Sequence, residues 1–214
     1  MKSKHSAREV ELKKDVGLEQ EPKLAKPGEG IGLAELLFLK LYIQPFVMRR
    51  LDKKEAIQSL EDEYGRITEQ ISSFKRDDLT KRILVKRPKF VEDSSRYWSA
   101  AMLCNHLGKV NGALAKAIEN GFTAKAGPDY KPKDRLRAVK PDAERNEVQE
   151  LEVFQLSVER IRNAVQLQSE IDLSSRLVPH PWFGNLTHLQ WVWFAGFHMK
   201  IHARQLEQIN SGLR

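Results

Sequence analysis

From Asp52 onward, apolar residues return at alternating spacings of three and four: Ile57, Leu60, Tyr64, Ile67, Ile71 and Phe74. That rhythm brings about one residue per turn to a single helical face, so the segment reads as a helix whose apolar stripe other helices must cover. The pattern recurs three times. A second helix, capped by Ser94 or Ser95 and stopped by Gly121 after Asn120, collects Trp98, Met102, His106, Val110, Ala113 and Ala117 on its inward face. A third carries Val148, Leu151, Phe154, Val158, Ile161 and Val165. A fourth opens on a capping box between Thr187 and Gln190 and aligns Trp191, Phe194, Ala195, His198, His202 and Gln205. No stretch shows the sustained alternation that strands need, and no internal repeat is evident. The expected fold is all-α, a four-helix bundle over residues 52–210 with long crossover loops.

Residues 1–30 mix Lys, Glu, Gly and Pro with few apolar side chains. Such a segment cannot bury enough surface to offset its ordering entropy, so a disordered tail is expected, without the apolar run of a secretory signal. Residues 31–51 form an extra N-terminal, Leu-rich helical segment interrupted by Glu35, Lys40, Gln44 and Pro45 and ending at Arg49 and Arg50. It is too broken for a membrane span of about 20 apolar residues, and suits either packing on the bundle or contact with a membrane surface. Gly127, Pro128, Pro132 and Pro141 mark residues 121–141 as a loop across one end of the bundle.

The net charge of +7 sits mainly in two loop-like stretches, Lys75 to Lys89 and Lys125 to Lys140. Neither has the interleaved aromatics that stack bases, so nucleic acid is not the expected partner. Cys104 is the single cysteine, which excludes an intrachain disulfide and a cysteine-based zinc finger and suits the reducing cytoplasm. It reads as a buried structural thiol, because its offset of two from His106 points it away from that histidine.

Four of the six histidines and three of the four tryptophans lie between His180 and Ile209. His198 and His202 are just over one helical turn apart and project as neighbours, a chelating geometry that solvated helices also produce. His106 lies on the apolar stripe of another helix, where a buried imidazole must be hydrogen-bonded or ligated. Three neutral imidazoles suit Zn²⁺, Ni²⁺ or Fe²⁺ with positions left open, as in a catalytic site; a core histidine satisfied by a backbone carbonyl is the alternative. No histidine has Glu three residues before it, and the spacer Met199-Lys200-Ile201 holds no Glu. A carboxylate-bridged two-iron centre and a zinc-protease motif are thereby excluded.

His180 begins His-Pro-Trp-Phe-Gly, a turn in which Trp182 and Phe183 can plug the bundle end. His188 falls in the first turn of the fourth helix and is expected to be solvated, while His5 lies in the tail. Asn105, His180, Trp191 and Gln205, with Tyr97 and Arg204, are candidates to support the ligands or touch a substrate. Trp191, Trp193 and Phe194 read most economically as core and pocket wall.

The order Ser95-Arg96-Tyr97-Trp98-Ser99, then Asn105-His106-Leu107, then His180-Pro181-x-Phe183-Gly184-x-Leu186-Thr187, then Trp191 and His198-x-x-x-His202 with Arg204-Gln205-Leu206, resembles the DinB-like superfamily and its DUF1569-type branch. The resemblance covers roughly residues 52–209. It implies a four-helix bundle holding a divalent metal through His106 of the second helix and His198 and His202 of the fourth. It also implies a thiol-dependent transferase or isomerase, or a metal-dependent hydrolase, acting on a small molecule with or without a low-molecular-weight thiol, and a chain that pairs into homodimers. A non-catalytic bundle serving interaction or a membrane surface is the other class of function that the residues allow.

Overall fold

The computed structural model describes residues 21–120, 131–142 and 148–214. Four long helices dominate it: α2 (Lys53–Ser72), α3 (Ala100–Glu119), α5 (Glu150–Gln166) and α7 (His188–Gly212), with three short helices, α1 (Leu33–Phe38), α4 (Pro132–Ala138) and α6 (Glu170–Ser175). Helix α2 packs along α7, α3 packs along α5, and α3 and α7 meet across the middle, which closes the four-helix bundle. Its core joins Leu60 and Ile67 of α2, Leu103, Leu107 and Ile118 of α3, Phe154, Val158 and Ile161 of α5, and Met199, Leu206 and Ile209 of α7.

The helices begin where their caps dictate. Asp52 accepts from the Glu55 N–H at 2.7 Å and opens α2. Thr187 accepts from the Gln190 N–H at 3.1 Å while Gln190 accepts from the Thr187 N–H at 2.9 Å, so the expected capping box opens α7. Gln190 also donates to the Met48 carbonyl at 3.1 Å and ties the Leu-rich segment to the bundle. Gly196 is required where α2 and α7 come closest: a Cβ there would stand 2.6 Å from the Ser59 carbonyl oxygen.

Several expectations are corrected. Helix α3 is capped not by Ser94 or Ser95 but by Ser99, which accepts from the Met102 N–H at 3.1 Å. The earlier serines lie in a 3-10 turn, Asp93–Ser95, and Trp98 precedes the helix in a strand. Strands do occur: β1 (Ile83–Leu84) pairs antiparallel with β2 (Tyr97–Trp98), and β3 (Leu177–His180) pairs antiparallel with β4 (Gly184–Thr187). Two to four residues are too few to show alternation, which is why the sequence reads as helices alone.

Residues 21–30 are not a loose tail. Ala25 N–H donates to Asp93 at 2.8 Å, Gly30 N–H to Glu92 at 2.8 Å, and the Pro27 carbonyl accepts from Arg137 at 3.1 Å, so backbone and not side-chain burial anchors this polar stretch. Residues 1–20, with His5, lie outside the described residues. The segment 31–51 continues from α1 into a π-type helix, Leu39–Val47, whose wider turns accommodate Pro45 without ending the helix. Leu39, Ile43 and Met48 bury against Phe183, Leu186 and Phe194. The loop across the bundle end contains α4; residues 121–130 lie outside the description. No described helix is long and apolar enough to cross a membrane.

Candidate metal centre

Helix α3 carries His106 at its middle, and α7 carries His198 and His202 one turn apart on the face turned toward α3. His106 Nε2 lies 3.2 Å from His198 Nε2, which lies 3.1 Å from His202 Nε2. A ligating atom from each of the three falls within 4.8 Å of the others. Nitrogens held at about 2.0–2.1 Å from a common ion stand roughly this far apart.

Hydrogen bonds on the far side of two rings fix where the protons are. His106 Nδ1 is 2.6 Å from the Val139 carbonyl, which can only accept, so Nδ1 carries the proton and Nε2 a lone pair. Gln205 donates its amide to the Ser95 carbonyl at 2.7 Å, which turns its oxygen to His202 Nδ1 at 2.9 Å; that nitrogen is the donor, and His202 Nε2 is also bare. Two lone pairs therefore face His198 Nε2, and one N–H there can satisfy one of them at most. Among the described residues His198 Nδ1 is buried with no hydrogen-bond partner. Three imidazole nitrogens converging with too few protons are poorly satisfied by hydrogen bonding and well satisfied by a cation, so the donor set fits a divalent metal.

The surroundings keep the rings neutral. Burial, with the neighbouring His202 and Lys140 adding to it, holds His106 well below the ordinary imidazole range. His198 is lowered in the same way, by burial and then by His202 and His106. Burial brings His202 down to about 4 against the opposing bond to Gln205. Trp98 stacks on His202 at 6.0 Å between centroids and 15° between planes, closing the site from the β2 side. Lys140 pairs with Glu92 at 2.7 Å, donates to Ser95 Oγ at 2.6 Å and lies 5.4 Å over the Trp98 ring. Among the described residues no carboxylate joins the three-histidine group, so an ion there would keep its full double charge toward whatever else bound it.

The histidines open on a cavity of about 450 Å³ walled mostly by apolar side chains, among them Val110, Ala117, Leu136, Val178, Trp182 and Phe194. Val110, Ala113 and Ala117, assigned by spacing to the inward face of α3, line this cavity, while Leu103, Leu107, Leu114 and Ile118 make the core. Trp191 also lines it and donates its indole N–H to the Val178 carbonyl at 3.1 Å. His180 lines it from the end of β3. Asn105 is turned away from the cluster: it donates to Glu150 at 2.8 Å and accepts from the Asp142 N–H at 3.2 Å, bracing α5 and the crossing loop.

Tyr97 sits in β2 under the Arg82 guanidinium, and Arg204 is exposed away from the cluster. His188 is buried at the head of α7, contrary to the solvated position expected for it. Cys104 is buried among core residues, and burial pushes its thiol well above the ordinary range. The carbonyls of Val139 and Ser95 and the Lys140–Glu92 pair escape sequence reasoning. Backbone acceptors have no residue signature, and a lysine in a basic loop looks like any solvated one.

No protein-family model matches the sequence, and no curated protein matches it. Solved structures do. The chain is similar in fold to a mycothiol-dependent maleylpyruvate isomerase. Two structures of that enzyme, one of them a histidine-to-alanine mutant, align over 74% of this chain with TM-scores of 0.53 and 0.56 at 15% and 17% identity. The alignment takes in 62% of the isomerase, so this chain spans about three fifths of that enzyme's length. A second neighbour, TT2238, a four-helix bundle protein, aligns over 73% of this chain and 98% of its own at 18% identity with a TM-score of 0.49. At these identities the likeness speaks to the fold alone.

Proposed function

We propose that the chain is a divalent-metal-dependent enzyme of the DinB-like superfamily, with His106, His198 and His202 as the metal ligands and thiol-dependent group transfer as its chemistry. The observation that carries the proposal is the convergence of three Nε2 atoms, two of them held bare by bonds to Val139 and Gln205. Zn²⁺, Ni²⁺ and Fe²⁺ all accept such a donor set. Bound there, the ion would supply undiluted positive charge, which lowers the pKa of a coordinated thiol or water.

The chain's own residues do the rest. Val139 and Gln205 hold the ligand rings in one tautomer, and Trp98 packs the back of the site. The apolar cavity wall excludes water from around a small organic substrate. Lys140, held by Glu92 and the Ser95 hydroxyl, places a positive charge at the cavity wall, and burial lowers it from the ordinary lysine range against the opposing pair with Glu92. The fold shared with a mycothiol-dependent enzyme supports the thiol reading over hydrolysis.

Calorimetric titration of glutathione, cysteine and mycothiol into metal-loaded and metal-free protein tests it. Binding of at least one thiol to the loaded form alone is expected. Equal heats in both forms, or none in either, would defeat the thiol reading, and hydrolysis of activated esters by the loaded protein would then mark a hydrolase.

A second reading adds a membrane-surface contact. Leu33, Leu41 and Phe46 of the segment 31–51 are 72%, 67% and 71% exposed, beside exposed Lys40 and Arg49. An apolar ridge flanked by cations fits an anionic bilayer surface. The protein should co-sediment with phosphatidylserine vesicles, and Leu41→Glu with Phe46→Glu should abolish this. Sedimentation that survives the double change, or is absent from the unaltered protein, contradicts it; a doubled solution mass would show that a second copy covers the ridge.

A further inference from the structure

His180 lines the cavity without entering the three-histidine group. It ends β3, and the turn Pro181-Trp182-Phe183 leads into β4 through Gly184, whose φ of +73° lets the chain reverse. Inside that turn the ring is bound from one side only: Nδ1 accepts from the backbone N–H of Trp182 at 3.0 Å and of Phe183 at 3.3 Å. A nitrogen that accepts two N–H groups carries no proton, so the proton of the neutral ring is on Nε2. Because both donors are backbone, the tautomer is set by the hairpin itself.

The rest of the ring is enclosed by aromatic side chains, with centroids of Phe194, Trp191 and Phe183 at 4.4, 4.7 and 4.9 Å. His180 is 5% exposed and lines the same cavity as the three ligand histidines. Among the described residues no hydrogen bond is formed at Nε2, which leaves its N–H free to donate to whatever enters the cavity.

We propose that His180 is a positioning residue, a neutral hydrogen-bond donor of fixed tautomer that receives a carbonyl oxygen of a small ligand whose apolar or aryl body lies along Val110, Ala117, Leu136 and Trp182. This rests on the proposed site for the cavity's purpose, but the donor and the apolar wall belong to the chain with or without a metal. A ring that cannot relay a proton from Nδ1 orients the substrate and polarises its carbonyl. The His-Pro-Trp-Phe-Gly sequence is then explained as one device: the turn that fixes the proton also aims it.

The test uses chelator-treated, metal-free full-length protein with acetophenone and ethylbenzene, which differ in the carbonyl, as probes. Long-range proton–nitrogen NMR should show a protonated Nε2 and a bare Nδ1 at His180, and acetophenone should perturb that ring. His180→Phe should weaken acetophenone about five- to tenfold, roughly one hydrogen bond, and leave ethylbenzene unchanged. A proton on Nδ1, equal weakening of both probes, or no acetophenone binding would each overturn the proposal. Metal content measured on the same variant separates the two readings: His180→Phe should bind metal as the unaltered protein does, whereas absence of metal from both would sink the metal centre and leave the donor's test intact. Should His180→Phe fail to fold, the NMR tautomer of the unaltered protein decides alone.

Discussion

Gln205 holds two positions at once, donating to the Ser95 carbonyl and turning its oxygen to His202 Nδ1. Replacing it by Leu removes the acceptor that keeps His202 Nε2 bare. Metal affinity should fall by about 10- to 100-fold, as is usual for partners of ligating histidines, and the metal-free form should lose about 1–3 kcal/mol because the His202 N–H and the Ser95 carbonyl lose their partner. Competition with a chromogenic chelator measures the first, and an unchanged affinity would mean that the tautomer is not set by Gln205. The three histidines were legible because side chains at fixed spacing on patterned helices announce themselves. What orients them was legible only for Gln205, three residues beyond His202 on the same helix. Val139 comes from a loop after α4, and no residue type marks the carbonyl that is used.

At the scale of elements, the spacing of three and four was enough to find α2, α3, α5 and α7, but the stripe it reports is the core face only for α2 and α5: α3 is buried on all sides from Ala100 to Gly108, and α3 and α7 each turn one face to the core and another to the cavity. Cap residues were legible where side chain and helix start agree, at Thr187, and misleading at Ser94 and Ser95, where a more local turn competes for the same serines. Glu35 reads as a break in a Leu-rich run, yet it accepts from the Phe90 N–H at 2.8 Å and from Arg87 at 2.8 Å, fastening α1 to the loop before α3. Such a role depends on a partner more than 50 residues away and has no local trace.

The approach of α2 to α7 gives an element-scale prediction. Gly196→Ala places a methyl where 2.6 Å separates it from the Ser59 carbonyl oxygen, so the helices must part. Chemical denaturation should show a loss of about 1–3 kcal/mol, and because Gly196 precedes His198 by two residues, metal affinity should fall with it. Stability equal to that of the unaltered protein would mean that the two helices have slack which the geometry does not show.

For the whole molecule, buried neutral imidazoles couple folding to pH. His180 is held down to about 3 by burial, against about 6.5 in an unfolded chain. Across that window the unfolded state binds the proton and the folded state does not, so stability is full above about pH 6.5 and is lost as pH falls toward 3. Each such histidine contributes up to about 1.4 kcal/mol per pH unit. The metal-free protein's urea midpoint should therefore drop steadily between pH 6.5 and 4, and His180→Phe should remove one histidine's share of the slope. A flat profile would contradict the burial.

The central claim is that His106, His198 and His202 together hold one metal. It is tested most directly by quantifying metals in untagged protein purified without chelators and reconstituted with Zn²⁺, Ni²⁺ or Fe²⁺, beside His106→Ala and His198→Ala. Close to one ion per chain is expected, lost in both variants while their helical content is retained. No ion in the unaltered protein under any of these conditions, or an ion that survives both substitutions, would contradict it.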